Sequence, residues 1–269
     1  MTGETSAVSV RVRMAKTEEA RFISHLEFVR AMERAVRRAR VPISYTEGYH
    51  PHPKMSFGSA LAVGITSEAE YVDLELRSPV SPANLLSALE QALPPGLSAL
   101  AAGRVISRAS LASRIEYASY RAFVRPELCG AAQEFMEGET AIAPVKTKSG
   151  RKRVDLRPLV RSLSCHEGIL EFVCRSGGRA NLRPQDLIAH LATVSGAGEA
   201  GGANPDVVGR VPIHRTGLYY VENGDLVSPM DSECEDLATA AGRRSEELSL
   251  DAQRNRCQFG QRGNEGCDS

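Results

Sequence analysis

The sequence predicts an α+β protein: two ferredoxin-like (βαββαβ) domains in tandem, the second irregular, with a disordered C-terminal tail. Three observations carry this. Strands of period two and helices of period 3.6 follow one another as β-α-β-β-α-β from Val8 to Ile106. A looser version of the same order runs to about Met230. Beyond Ser232 the chain is polar with little periodicity, which fits disorder. The expected boundaries are 8–108, 114–230 and 231–269.

Val8, Val10 and Val12 alternate with Ser9, Arg11 and Arg13, so the first strand should bury one face. The clearest helix follows. Ser24 and Glu27 have capping-box spacing. Leu26, Val29, Met32, Val36 and Ala39 form the expected apolar stripe, widened by Phe28 and Ala35. Pro42 ends the helix. Pro51 and Pro53 forbid a regular strand over 48–54, so a shaped loop is expected there. Met55 to Val63 and Glu70 to Leu76 read as strands. Ser81-Pro82 opens a second helix with Leu85, Leu86, Leu89 and Leu93 on its apolar face. Leu97 to Ile106 supplies the last strand. Two helices on one face of a four-stranded sheet leave the other face for a partner.

In the second half, strands are expected over Ile115–Val124, Leu159–Cys165, Ile169–Cys174 and Val211–Val221. Helices are expected over Ala131–Gly138 and Pro184–Val194. Asn223-Gly224 is a hairpin turn signal leading to Leu226 and Val227. Ser195 to Asn204 is rich in Gly and Ala and reads as a loop.

Composition narrows the function classes. Lys plus Arg and Asp plus Glu are both 33, so the formal charge is zero. From Asp231 onward there are five basic and nine acidic residues, which leaves 28 against 24 before it, or +4. That excess is too small to argue for nucleic acid, and local clustering matters more. The opening Met-Thr-Gly-Glu-Thr-Ser is not a basic start followed by an apolar run. No apolar stretch approaches the ~18 residues of a membrane span. A cytoplasmic protein without membrane contact is expected. The cysteines at 129, 165, 174, 234, 257 and 267 form no Cys-x-x-Cys pair and no Cys-x-x-x-Cys-x-x-Cys triplet. Ordinary thiols are therefore expected, with no disulfide framework, no metal and no cofactor.

Four groups of residues could carry function. In Tyr49-His50-Pro51-His52-Pro53-Lys54, two prolines preorganise the side chains between them. His50, His52 and Lys54 would suit a phosphate or another anion. His25, at the first position of the capped helix, and His52 are candidate bases, with Lys54 or an arginine to steady a phosphorane, and the two histidines could share one pocket. Arg30, Arg34, Arg37, Arg38 and Arg40 give the first helix a positive surface. Lys146, Lys148, Arg151, Lys152, Arg153 and Arg157 fall within twelve residues around Gly150, as a basic hairpin finger would. His214 and Arg215 are a further anion-binding candidate. Each group has a plain alternative: a rigid turn, a packing histidine, a solvated helix face, a sheet surface.

Several of these residues also carry a family resemblance. The chain reads Arg-Phe-Ile-Ser-His-Leu-Glu at 21–27, Glu-Arg-Ala-Val-Arg-Arg-Ala at 33–39 and Gly-Tyr-His-Pro-His-Pro-Lys-Met-Ser-Phe at 48–57. Gly64, Ser67 and Glu70-Tyr71-Val72-Asp73 follow, then Ile213-His214-Arg215-Thr216-Gly217-Leu218-Tyr219 and Leu226-Val227-Ser228-Pro229. This resembles the radical-SAM-associated domain family of unknown function, which occurs fused to or encoded beside cobalamin-binding-type radical SAM proteins. Where that family often has Asn, this chain has His50. The resemblance implies an accessory protein acting in trans with a radical SAM enzyme. With the basic clusters, the expected function is an RNA-binding or substrate-presenting module, non-catalytic rather than an enzyme. Two alternatives stay open: a metal-independent endoribonuclease using His25 or His52, and a protein-docking adaptor.

Overall fold

Ten strands join in one mixed sheet, and a separate two-stranded hairpin stands beside it. This is a computed structural model, and it describes residues 8–107, 109–147, 150–178, 180–196 and 211–240. Lys148, the side chain of Lys146, most of the expected 195–204 loop and the tail from residue 241 lie outside the described residues.

The first half contains β1 (Val8–Lys16), α1 (His25–Arg38), β2 (Met55–Phe57), β3 (Thr66–Leu76), α2 (Pro82–Ala92) and β4 (Leu97–Val105). The second contains α3 (Leu111–Arg114), β5 (Tyr117–Phe123), α4 (Glu127–Glu137), β6 (Ile142–Thr147), β7 (Gly150–Asp155), β8 (Val160–His166), β9 (Ile169–Arg175), α5 (Pro184–Val194) and β10 (Ile213–Glu222). The described chain closes with β11 (Asp225–Val227), α6 (Pro229–Glu233) and β12 (Cys234–Thr239). The fold is thus mixed α+β, with six α-helices among the described residues. Among those residues no helix is long and apolar enough to cross a membrane.

Both halves arrange their main strands in the same order. The first runs β4-β1-β3-β2 and the second β10-β5-β9-β8, with every neighbouring pair antiparallel. The halves meet where β3 and β10 pair in parallel, His214 opposite Thr66 and Arg215 opposite Ser67. One core lies between α1, α2 and strands β1, β3 and β4, around Val10, Val12, Met32, Leu74 and Leu89. The other gathers α4, α5 and strands β5, β9 and β10, and it takes in Leu61 and Tyr71 from the first half.

Local chemistry explains most of these elements. Ser24 and Glu27 form the capping box, with Glu27 N–H donating to Ser24 Oγ at 3.3 Å and Ser24 N–H to Glu27 Oε2 at 2.7 Å. Ser81 caps α2 ahead of Pro82. Asn223 and Gly224 both have positive φ, as the tight β10–β11 turn requires.

Five expectations need correction. On α1 the buried stripe is Phe28, Ala31, Met32, Ala35 and Val36, while Leu26 is 57% exposed. Successive steps of three residues drift by about 60° around a helix, so Leu26, Val29 and Met32 cannot share one narrow face. β2 stops at Phe57, where Gly58 N–H still reaches Tyr71 O, and the chain then leaves the sheet. β1 buries both faces, because Arg11 on its second face is covered and donates to Pro229 O and Glu233 of α6. The expected tail begins too early: residues 231–239 complete α6 and form β12, which pairs with β4. Cys129 and Cys165 are joined in a disulfide between α4 and β8, against the expectation of six ordinary thiols. Helix and strand bring cysteines 36 positions apart within bonding reach, a proximity that no short spacing motif encodes.

Candidate functional site

The arginine face of α1 and the proline loop lie side by side. Arg30, Arg34 and Arg37 are exposed because they fall outside the 28/31/32/35/36 stripe. Arg38 is also exposed but is engaged, donating to Ala92 O at the end of α2 at 3.1 Å. The loop is tied at its neck by a bridge between Tyr45 and Pro53. Thr46 N–H donates to His52 O at 2.9 Å, and His52 N–H donates to Thr46 Oγ1 at 3.0 Å. Within that frame Tyr49 is 95% exposed and meets the His50 ring edge-on at 5.0 Å. His52 Nδ1 comes within 3.8 Å of Glu33 Oε1 on α1. Lys54 donates to Glu75 Oε1 at 2.8 Å, and this bond raises the lysine pKa. Glu33 and Glu75 therefore offset part of the positive charge at the loop.

His25 takes a different place from His52. It opens α1 with its ring edge-on to Phe57 at 5.7 Å. Glu33 lies eight positions further along α1, about 12 Å along the axis. The two histidines thus meet different partners, His25 at Phe57 and His52 at Glu33. Burial lowers the His25 pKa, opposed by Glu70 and helped by Arg215 and Lys16. Lys16 is itself buried, donates to Ile23 O at 3.0 Å, and has its pKa lowered by the same burial.

His214 and Arg215 sit inside the seam, which corrects their reading as an anion site. Arg215 is fully buried, donates to Ser59 O at 2.9 Å and is ion-paired with Glu70. A guanidinium already matched by a buried carboxylate has no charge to spare for a ligand. His214 Nδ1 lies 2.8 Å from Thr66 Oγ1. Burial, with the nearby charges of Arg121, Arg13 and Arg215, pushes its pKa down to about 4.

The third basic group stands on the β6–β7 hairpin, where Arg151, Lys152 and Arg153 are exposed. Arg157 belongs to the fold instead, donating to the carbonyls of Gly138, Val160 and Met136.

Lys16 and Glu70 were missed from sequence. Glu70 had a signal: it is in phase with Val72, Leu74 and Leu76, whose side of β3 faces the first core. Phe22, Leu26 and Val63 are exposed near the start of α1, where Gly64 N–H donates to Arg21 O at 2.8 Å. A cleft of about 720 Å³ lined by Arg114, Glu116, Arg175, Tyr220 and Glu222 was also missed. Its parts come from three separated segments and leave no local motif.

Comparison with known proteins adds a family. A family model described as "Uncharacterized protein conserved in bacteria (DUF2344)" matches residues 9–184. No curated protein matches the chain. Among solved structures, one titled "Crystal Structure of a Cbf5-Nop10-Gar1 Complex" aligns at 14% identity with a TM-score of 0.38. The alignment covers 78% of this chain and 48% of the solved one, so the chain spans about half of that protein's length.

Proposed function

The chain belongs to this family of uncharacterized bacterial proteins, and from that premise we propose that it is an RNA-binding accessory module acting in trans with a radical SAM enzyme. The observation that carries the RNA reading is the 3.8 Å approach of His52 to Glu33, which sets the exposed loop beside Arg30, Arg34 and Arg37. Exposed arginines beside a rigid loop with hydrogen-bonding rings are suited to a phosphate backbone. The exposed Arg151, Lys152 and Arg153 supply a second basic surface. Repetition of one strand order in both halves supports reading them as tandem ferredoxin-like units. The resemblance of residues 21–73 and 213–229 to the radical-SAM-associated family supports the partner.

The test is crosslinking and sequencing of RNA bound in cells, comparing the intact protein with a His52→Ala, Lys54→Ala variant. Enriched RNA that the variant loses is the expected result. Equal recovery from both removes the loop from the interface. An affinity pull-down from the same cells should recover a radical SAM enzyme, and its absence removes the partner.

The endoribonuclease alternative has less support. Burial lowers the His25 pKa, which favours a base, but His52 approaches Glu33, about two turns of helix further along α1. Pure protein incubated with labelled RNA in chelator should leave it intact.

A further inference from the structure

The cleft in the second half is built from pairs of residues that present flat, polar surfaces. α3 supplies Arg114, whose guanidinium lies over the Tyr220 ring at 4.2 Å. The end of β9 supplies Arg175, over the Tyr117 ring at 4.4 Å. Each guanidinium is also held by a carboxylate: Arg175 Nη1 is 2.9 Å from Glu116 Oε2, and Arg114 Nε is 3.3 Å from Glu233 Oε1. Stacking and ion pairing fix the planes of both groups before any ligand arrives. Glu222 and Asn223, at the β10 turn, bring a carboxylate and an amide to the same opening.

The charges decide what fits. Among the described residues the cleft is lined by two arginines and by two glutamates, Glu116 and Glu222, so their formal charges balance. A phosphate gains little there. A neutral planar ring gains stacking on a guanidinium plane, and its edge N–H groups find a carboxylate acceptor. The volume, about 720 Å³, lies within the roughly 300–1,000 Å³ common for small-molecule sites.

The geometry points to this cleft as the seat of one unstacked base of a single-stranded RNA, with Arg114 and Arg175 as stacking planes and Glu222 accepting from the edge of the base. This rests on the RNA reading above and gives it a base-recognition site apart from the phosphate-facing arginines of α1.

The four ribonucleosides, which carry no phosphate, are the probes. Each is titrated into the whole protein while the amide signals of Ser113 and Asn223 are followed by NMR. At least one nucleoside should shift both signals in a saturable way at millimolar concentration. Arg114→Lys keeps the charge beside Glu233 but removes the plane, and should weaken binding at least tenfold. Glu222→Ala, at an exposed position, should reduce discrimination among the four nucleosides. Silent amides with every nucleoside overturn the proposal, as does unchanged binding in a folded Arg114→Lys protein. Anisotropy with a labelled oligouridine separates the two readings. RNA that binds while the cleft amides stay silent overturns the cleft alone. Nucleosides that bind while the oligonucleotide does not overturn the RNA reading and, with it, the strand as the source of the base.

Discussion

Arg215 on β10 reaches Glu70 on β3 across the seam between the halves, and both side chains are buried. The parallel pairing there spans only two residue pairs, His214 with Thr66 and Arg215 with Ser67, and the ion pair lies beside it. Glu70→Gln would leave the guanidinium without its counter-charge. Removal of one partner from a buried pair costs about 3–5 kcal/mol. Urea unfolding should show a loss of that size, and a Glu70→Gln, Arg215→Met double variant should recover part of it. A loss under about 1 kcal/mol would mean that water already reaches the pair.

Stability should fall on acidification through His214. Its folded pKa, about 4, lies below the ordinary value of 6.5. A depressed folded pKa means that protons bind the unfolded chain more tightly. The contribution is therefore complete above pH 6.5 and is lost as pH falls toward 4. The shift corresponds to stability on the order of 3 kcal/mol. The charges facing the ring are Arg13 from β1, Arg121 from β5 and the neighbouring Arg215, all of which oppose protonation. Unfolding curves of the parent and of His214→Gln between pH 7 and pH 4 check this: the variant should lose less stability over that window.

Reduction of the Cys129–Cys165 disulfide should destabilise the second half. The bond closes a loop over a sequence separation of 36. Loop-closure entropy for that length is worth about 4 kcal/mol. The urea midpoint should drop when reductant is added. A Cys129→Ser, Cys165→Ser protein should start at the lower midpoint and ignore the reductant. The buried Cys174 and Cys234 make the double variant, rather than a cysteine-free chain, the fitting control.

Combined Arg30→Ala, Arg34→Ala and Arg37→Ala substitutions should weaken RNA binding without unfolding α1. The three side chains are exposed, and alanine is the best helix former. Each lost phosphate contact to a single strand should lower the slope of log affinity against log salt by about 0.7, or roughly 2 for all three. Fluorescence anisotropy over a range of salt concentrations measures the slope. An unchanged slope takes these arginines out of the interface.

Much of the fold was legible because its signals are local. The α1 capping box, Pro82 opening α2 and the Asn223-Gly224 turn all lie within a few residues of what they specify. Strand β3 was legible from the alternation over 70–76. The site was less legible. The apolar stripe of α1 was misread at Leu26 because three-residue steps drift around a helix. Arg215 looked like a surface cation because its partner, Glu70, lies on a distant strand. The stacked arginines of the cleft depend on where α3 and β9 meet the β10 turn, and no spacing in the chain encodes that meeting. The disulfide was hidden for the same reason.

Arg11 on the first strand is held by Asp73 on one side and by Glu233, far along the chain, on the other. The edge of β4 is likewise covered by β12. Strands β1 and β4 are thus sealed by residues that follow them in the chain by more than 120 positions. A nascent chain halted before residue 229 would expose one edge of β4 and leave half of a buried charge arrangement unmet. Such a chain should be open to protease, and one that includes residues 229–239 closed, so the return of the chain over β4 decides whether the first half is shielded.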